Sequence, residues 1–124
     1  MKITEIVEKV FPISSAIQNA YINFTKMDCS VVAIKTDQKI NGEQVVGYGF
    51  HSNGRYAVSE LLTKRFIPRL KEAKPEELLN KEGTNFSPEH IWKVLMHNEK
   101  PGGHGCALRL LEPWIWQCGI WFLK

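Results

Sequence analysis

Four histidines, three cysteines and one glycine-rich stretch are the side chains here whose types could do chemistry. His90 and His97 stand seven residues apart on one predicted helix, two turns, too far to chelate one ion without other ligands. His104 and Cys106 lie beyond that helix in a glycine-rich loop, and nothing has the ligand spacing of a zinc site. The histidines therefore read as solvent-facing or capping residues. Pro101-Gly102-Gly103-His104-Gly105 could cradle a phosphate with its amides. It follows a helix instead of preceding one, and no Gly-Lys-Ser/Thr occurs, so it reads as a helix stop and connector. Lys100, just before it, can neutralise the helix C-terminal dipole or reach a carboxylate ligand. Gly47 through Tyr56 gathers small, polar and aromatic residues around a strand-to-helix turn. There Gly47 and Gly49 mark either a bulge or a close backbone approach beside a site. No acidic cluster on successive strand ends, no nucleophile elbow and no Lys-x-Lys base is present. On residues alone this is not a self-sufficient enzyme.

The elements that would position these groups follow from periodicity. Ile3, Glu5, Val7, Lys9 and Phe11 fall at period two, predicting a strand with one buried face, ended by Pro12; Ile6 and Val10 occupy the other face, so a short helix is the competing reading. Ser14 to Lys26 has no clean period and reads as a long loop, ordered by Tyr21 and Phe24. Ser30–Thr36 and Gln44–Phe50 pair as a hairpin through Asn41-Gly42. Val58, Leu61, Leu62, Phe66 and Leu70 then fall at helical spacing, with Lys64, Arg65, Arg69 and Lys71 expected toward solvent and Pro68 predicting a kink or early end. Pro75-Glu76-Glu77 starts a short helix through Leu79, stopped near Gly83. Ser87-Pro88-Glu89 caps another, whose apolar face is Ile91, Trp92, Leu95 and Met96. Strands followed by helices imply an α+β fold.

The chain has 124 residues, 44% hydrophobic and 23% charged, which suits one small domain and excludes a large two-domain enzyme. A net charge of +3, evenly spread, is too mild for a nucleic-acid footprint. An odd number of cysteines without C-x-x-C spacing argues against a disulfide scaffold and suits a reducing cytosol. Glu5 interrupts the N-terminus where a signal peptide would continue apolar, so a cytoplasmic protein is expected. The apolar run from Ala107 to Leu123 is broken by Arg109, Glu112, Pro113 and Gly119, and no membrane span is expected.

Three separated motifs resemble D-tartrate dehydratases, of the mandelate racemase/muconate lactonizing group of the enolase superfamily. They are Pro12-Ile13-Ser14-Ser15 through Asn19-Ala20-Tyr21-Ile22 and Phe24-Thr25-Lys26-Met27; Val46-Gly47-Tyr48-Gly49-Phe50 with Ser52-Asn53-Gly54-Arg55-Tyr56; and Asn98-Glu99-Lys100-Pro101-Gly102-Gly103-His104-Gly105. The resemblance implies an N-terminal capping domain over residues 1–105, a three-stranded antiparallel meander followed by a small helical bundle. Segments Ser14–Phe24 and Phe50–Tyr56 would be its two loops over the active site of a (β/α)-barrel. By motif position, Asn19, Asn53 and Lys100 would contact a hydroxy-acid substrate such as tartrate. Two amides suit hydroxyl and carboxylate oxygens, and an ammonium suits a carboxylate. The magnesium ligands, the Lys base and the His acid all belong to the family's barrel and have no counterpart here, so no cofactor is expected in this chain itself. The implied reaction abstracts the proton α to a carboxylate, stabilises the enediolate on magnesium and expels hydroxide. His51 departs from the Asn of the family's Phe-Asn-Ser-Asn-Gly pattern, which bears on substrate specificity.

Residues 106–124 break this pattern. Three of the four tryptophans fall within Trp114 to Trp121. Back-translated from Glu112 to Phe122 and read one base earlier, the codons force Asp, Ala and Val. With allowed third bases they give Gly-Thr-Met-Asp-Met-Ala-Val-Trp-Asp-Leu-Val, close to the family's continuation. The expectation is an out-of-frame tail and a truncated lid, inactive alone. The tail should be poorly packed, and its exposed aromatics would promote self-association or homo-oligomers. The alternative is a stand-alone small-acid binding or protein-interaction module that uses the Trp-rich tail.

Overall fold

In the computed structural model, residues 1–54 and 58–99 are described, with the side chains of residues 26, 52–54 and 58 set aside. Strands β1 (Ile3–Pro12), β2 (Asp28–Ile40) and β3 (Glu43–Gly54) form one antiparallel sheet in the order β1-β2-β3. Helices follow: α1 (Val58–Leu61), a π-helical segment (Leu62–Phe66), α2 (Ile67–Glu72), α3 (Pro75–Leu78) and α4 (Pro88–Leu95). The α+β class and the three-stranded meander stand. Among the described residues no helix is long and apolar enough to cross a membrane.

The β2–β3 connection is the predicted two-residue turn, with Asn41 at φ 52° and Gly42 at φ 84°. Both central residues thus take the left-handed conformation whose twist matches the flanking strands. The strands run past the predicted hairpin because the pairing Lys39↔Gln44 and Ile40↔Glu43 carries the ladder to the turn.

β1 is a strand and not the competing short helix, and the face it buries is the one that carries Ile6. Ile3 pairs with Thr36 and Ile6 with Ile34, and a register shift between Ile3 and Glu5 puts both isoleucines on the core side. Ile6 is buried and Ile3 packs against the core, whereas Val7 and Phe11 are 40% and 43% exposed. One irregular step moves every later side chain of the strand to the other face.

Ile6, Val32 and Ile34 meet Leu62, Phe66, Ile67, Leu70, Leu78, Phe86, Ile91 and Leu95 in a single core. Gly47 and Gly49 pair with Ile34 and Val32, so they lie on this helix-facing side, and Gly47 is buried. The ladder is regular there, which rules out the bulge. Pro68 does not end the helix. It sits at the first positions of α2, directly after the π-helical segment. The widened turn absorbs the carbonyl that proline, lacking an N–H, leaves without its usual donor. Arg69 is a second correction. Its Nη1 lies 2.9 Å from Glu99 Oε1 and donates to the Leu95 carbonyl at 2.5 Å, so it faces α4, not solvent. Arg65 also pairs with Glu99, while Lys64 pairs with Glu60 one turn earlier. α4 begins as expected, the Ser87 hydroxyl accepting from the His90 N–H at 3.3 Å.

Candidate functional site

The sheet has two unlike ends. At one stands the Asn41-Gly42 turn. At the other, Pro12 pairs with Asp28 and Asp28 with Gly54, so the 13–27 loop and the end of β3 emerge side by side. Asn19 and Asn53, thirty-four positions apart in the chain, therefore arrive at the same end of the sheet.

The 13–27 loop holds itself together. Its base is closed by the Ile13 N–H donating to the Met27 carbonyl at 2.9 Å, and a bridge joins Gln18 to Asn23. Asn23 Oδ1 caps the short 3-10 turn Phe24–Lys26 by accepting from the Thr25 N–H. At the tip, Asn19 Oδ1 accepts from the Tyr21 and Ile22 amides at 2.9 and 2.8 Å, and the Asn19 N–H donates to the Ile22 carbonyl at 2.8 Å. Asparagine favours such turns because its short carbonyl reaches the amides just ahead of it. The consequence is chemical. With its carbonyl committed, Asn19 has its amide N–H2 left to offer, a donor suited to a carboxylate or hydroxyl oxygen. Ile17 and Tyr21 flank it at 69% and 96% exposure. These are apolar groups ordered by a loop that gives them nothing to pack on.

Asn53 belongs to β3, and its side chain lies outside the described set. Lys100, and the whole of residues 106–124 with the expected loose packing of that tail, also lie outside the described residues. The residue before Lys100 is held firmly. The Glu99 carboxylate is 10% exposed, with Arg65 Nε at 2.8 Å and Arg69 Nη1 at 2.9 Å from the same oxygen. That oxygen has no directed hydrogen bond, so charge holds it between two guanidinium groups. Asn98, at φ 60°, turns the chain out of α4 toward this clamp. Sequence reasoning missed the clamp because its three members belong to two motifs that had been read separately.

Glu8 was missed as well. It sits on the helix-facing side of β1, taking the Ser30 hydroxyl at 2.5 Å and the Ser59 hydroxyl at 3.0 Å, and so ties the start of the helical layer to the sheet. Its signal was present, since a carboxylate inside an alternating strand needs partners if it turns inward.

The described histidines are dispersed, and His104 with Cys106 lies outside the described residues. His51 pairs across the ladder with Ser30, His90 Nδ1 lies 2.5 Å from the Leu79 carbonyl, and His97 is exposed. Among the described residues, no three His, Cys, Asp or Glu side chains group as metal ligands do. A groove of about 430 Å³ opens between Lys2–Glu5 and Leu70, Lys71, Ala73, Pro75, Leu78 and Phe86. It lies by the start of β1, away from the end that carries Asn19 and Asn53. No protein-family model matches the chain.

Proposed function

We propose that residues 1–105 are the substrate-covering lid of a D-tartrate dehydratase-like, magnesium-dependent hydroxy-acid dehydratase. In this reading the lid recognises a sugar or hydroxy acid through Asn19, Asn53 and Lys100 and does no bond-breaking itself. The observation that carries it is the convergence of the 13–27 loop and the end of β3 at one end of the meander. These are the two segments that the resemblance assigns to the lid. Asn19 donates from its free amide to a carboxylate or hydroxyl oxygen. Ile17 and Tyr21 supply the apolar contact that keeps water from the covered site. Proton abstraction and metal chemistry belong to a barrel that meets this end of the sheet.

The test uses the full chain with D-tartrate and magnesium, following dehydration to the keto acid. The chain alone is expected to give no turnover. Supplied together with the barrel of a D-tartrate dehydratase stripped of its own cap, it is expected to restore dehydration. Asn19→Ala should then lower kcat/KM at least about tenfold, the loss of one charge-assisted hydrogen bond. Turnover by the chain alone, or restoration indifferent to Asn19, would overturn the assignment.

A further inference from the structure

The sheet face turned away from the helices is built in rows. Pairing across the three strands gives Glu5–Lys35–Val46, then Val7–Ala33–Tyr48, then Lys9–Val31–Phe50, with Phe11 opposite Cys29 beyond. An antiparallel sheet that meets water on one side alternates, with polar residues outward. Here the outward positions of the two middle rows are apolar or aromatic except for Lys9, and Tyr48 and Phe50 are 66% and 65% exposed. This exposed patch spans three strands, and patches of such size on a small domain are often functional.

Charge placement identifies what covers it. Glu5 pairs with Lys35 through one oxygen, Oε2. Lys9, two rows along the same strand, lies 5.2 Å from the Phe11 ring centre and takes part in no ion pair among the described residues. We infer that the face is a self-association surface, covered by the same face of a second copy around a two-fold axis along the Val7–Ala33–Tyr48 row. That axis turns the strands antiparallel and lays the Glu5 row of one copy over the Lys9 row of the other. Each Glu5 then meets Lys9 of the second copy, twice over, and each Val46 covers a Phe50. The middle row meets itself, with small Ala33 at its centre. Aligned sheets stack about 10 Å apart, a gap that Tyr, Phe and Lys side chains fill. With strands about 4.8 Å apart and like-facing residues about 6.7 Å apart, the patch covers roughly 300 Å² per copy, so the dimer is weak and concentration-dependent.

The experiment is sedimentation equilibrium of the full chain from about 5 µM to 1 mM at low salt. A monomer–dimer equilibrium is expected, with no larger species, because a two-fold contact closes at two. Lys9→Glu should raise Kd about tenfold or more, and Glu5→Lys/Lys9→Glu should regain most of that loss, since the swap re-forms both cross-copy pairs. Tyr48→Glu should abolish dimers while leaving the circular dichroism spectrum unchanged. If it unfolds the chain, the Lys9 and Glu5 cycle decides alone. A chain that stays monomeric at 1 mM overturns the inference. So does association that is indifferent to Lys9→Glu, which would place the contact elsewhere, for instance on the Trp-rich residues 106–124.

Discussion

Consecutive residues of β3 serve opposite demands. Gly47 and Gly49 face the helices, across from Ile34 and Val32, while Tyr48 and Phe50 face outward across from Ala33 and Val31. The inward positions carry no side chain on the core side of the sheet, and the outward positions carry large rings that stay 66% and 65% exposed. Burial alone would put the rings inside and leave small polar residues outside. With glycine at both inward positions, β3 gives the helix-facing side of the sheet backbone there, while Ile34 and Val32 beside it supply the side chains. The outer face carries the rings through which the proposed second copy would be met.

The largest way to break this contrast is to empty the covered side. Phe66 is fully buried at the centre of the core. Phe66→Ala should cost about 3–5 kcal/mol in urea unfolding, enough to unfold much of a small domain. A loss under about 1 kcal/mol would mean that the helical layer is not packed as described. The sharper test stays on β3. Gly47→Val should destabilise by about 1–3 kcal/mol through overpacking, whereas Tyr48→Thr, one residue on, should change stability by less than about 0.5 kcal/mol at low micromolar concentration. Equal effects at the two positions would erase the difference between the faces.

How much of this was legible in the sequence depended on whether the signal was local. Asn41-Gly42 and Ser87-Pro88 each specify their structure within two residues, through positive φ and through a hydroxyl cap with a proline that needs no donor, and both were read correctly. The buried face of β1 was not readable, because Val7 and Phe11 are as apolar as Ile3 and Ile6. A register shift at Ile3–Glu5 then decided which set turned inward. Pro68 was a correct warning with the wrong outcome, since a π-turn absorbs a missing N–H as well as a break does. Arg69 looked like a solvent-facing charge because its partner, Glu99, lies thirty residues on. At the candidate site, Asn19 was singled out by motif alone. That its carbonyl is spent inside its own turn depends on the backbone path from Asn19 to Ile22, which composition does not encode.

The loop offers a contrast with the core that is smaller in energy and clearer in location. Removing the Asn19 side-chain carbonyl leaves the Tyr21 and Ile22 amides without their acceptor. Both are near solvent, so water replaces it cheaply. Asn19→Ala is expected to lower global stability by less than about 1 kcal/mol. Amide exchange at Tyr21 and Ile22 should nevertheless quicken by about tenfold or more, while Ile34 and Val32 exchange as before. Slowed or unchanged exchange at those two amides would show that the turn does not need its asparagine.

The smallest effect probes the outer face through Cys29, which pairs with Phe11 at its far edge. Burial pushes the thiol above its ordinary value of 9.0, and the neighbouring Asp28 carboxylate raises it further. A raised thiol holds its proton more tightly in the folded chain than in the unfolded one. The stability it contributes is therefore fully present below the unfolded value near 9.0 and is lost as pH rises through the folded value. Only the thiolate is alkylated, so Cys29 should react with iodoacetamide at pH 8 more slowly than a free thiol, by several-fold, read peptide by peptide in a mass spectrometer. Asp28→Asn removes the smaller of the two causes and should speed the reaction only modestly. If that change alone brought Cys29 to the free-thiol rate, burial would not be the main brake. The edge of the outer face beside Phe11 would then be wetter than the aromatic rows next to it.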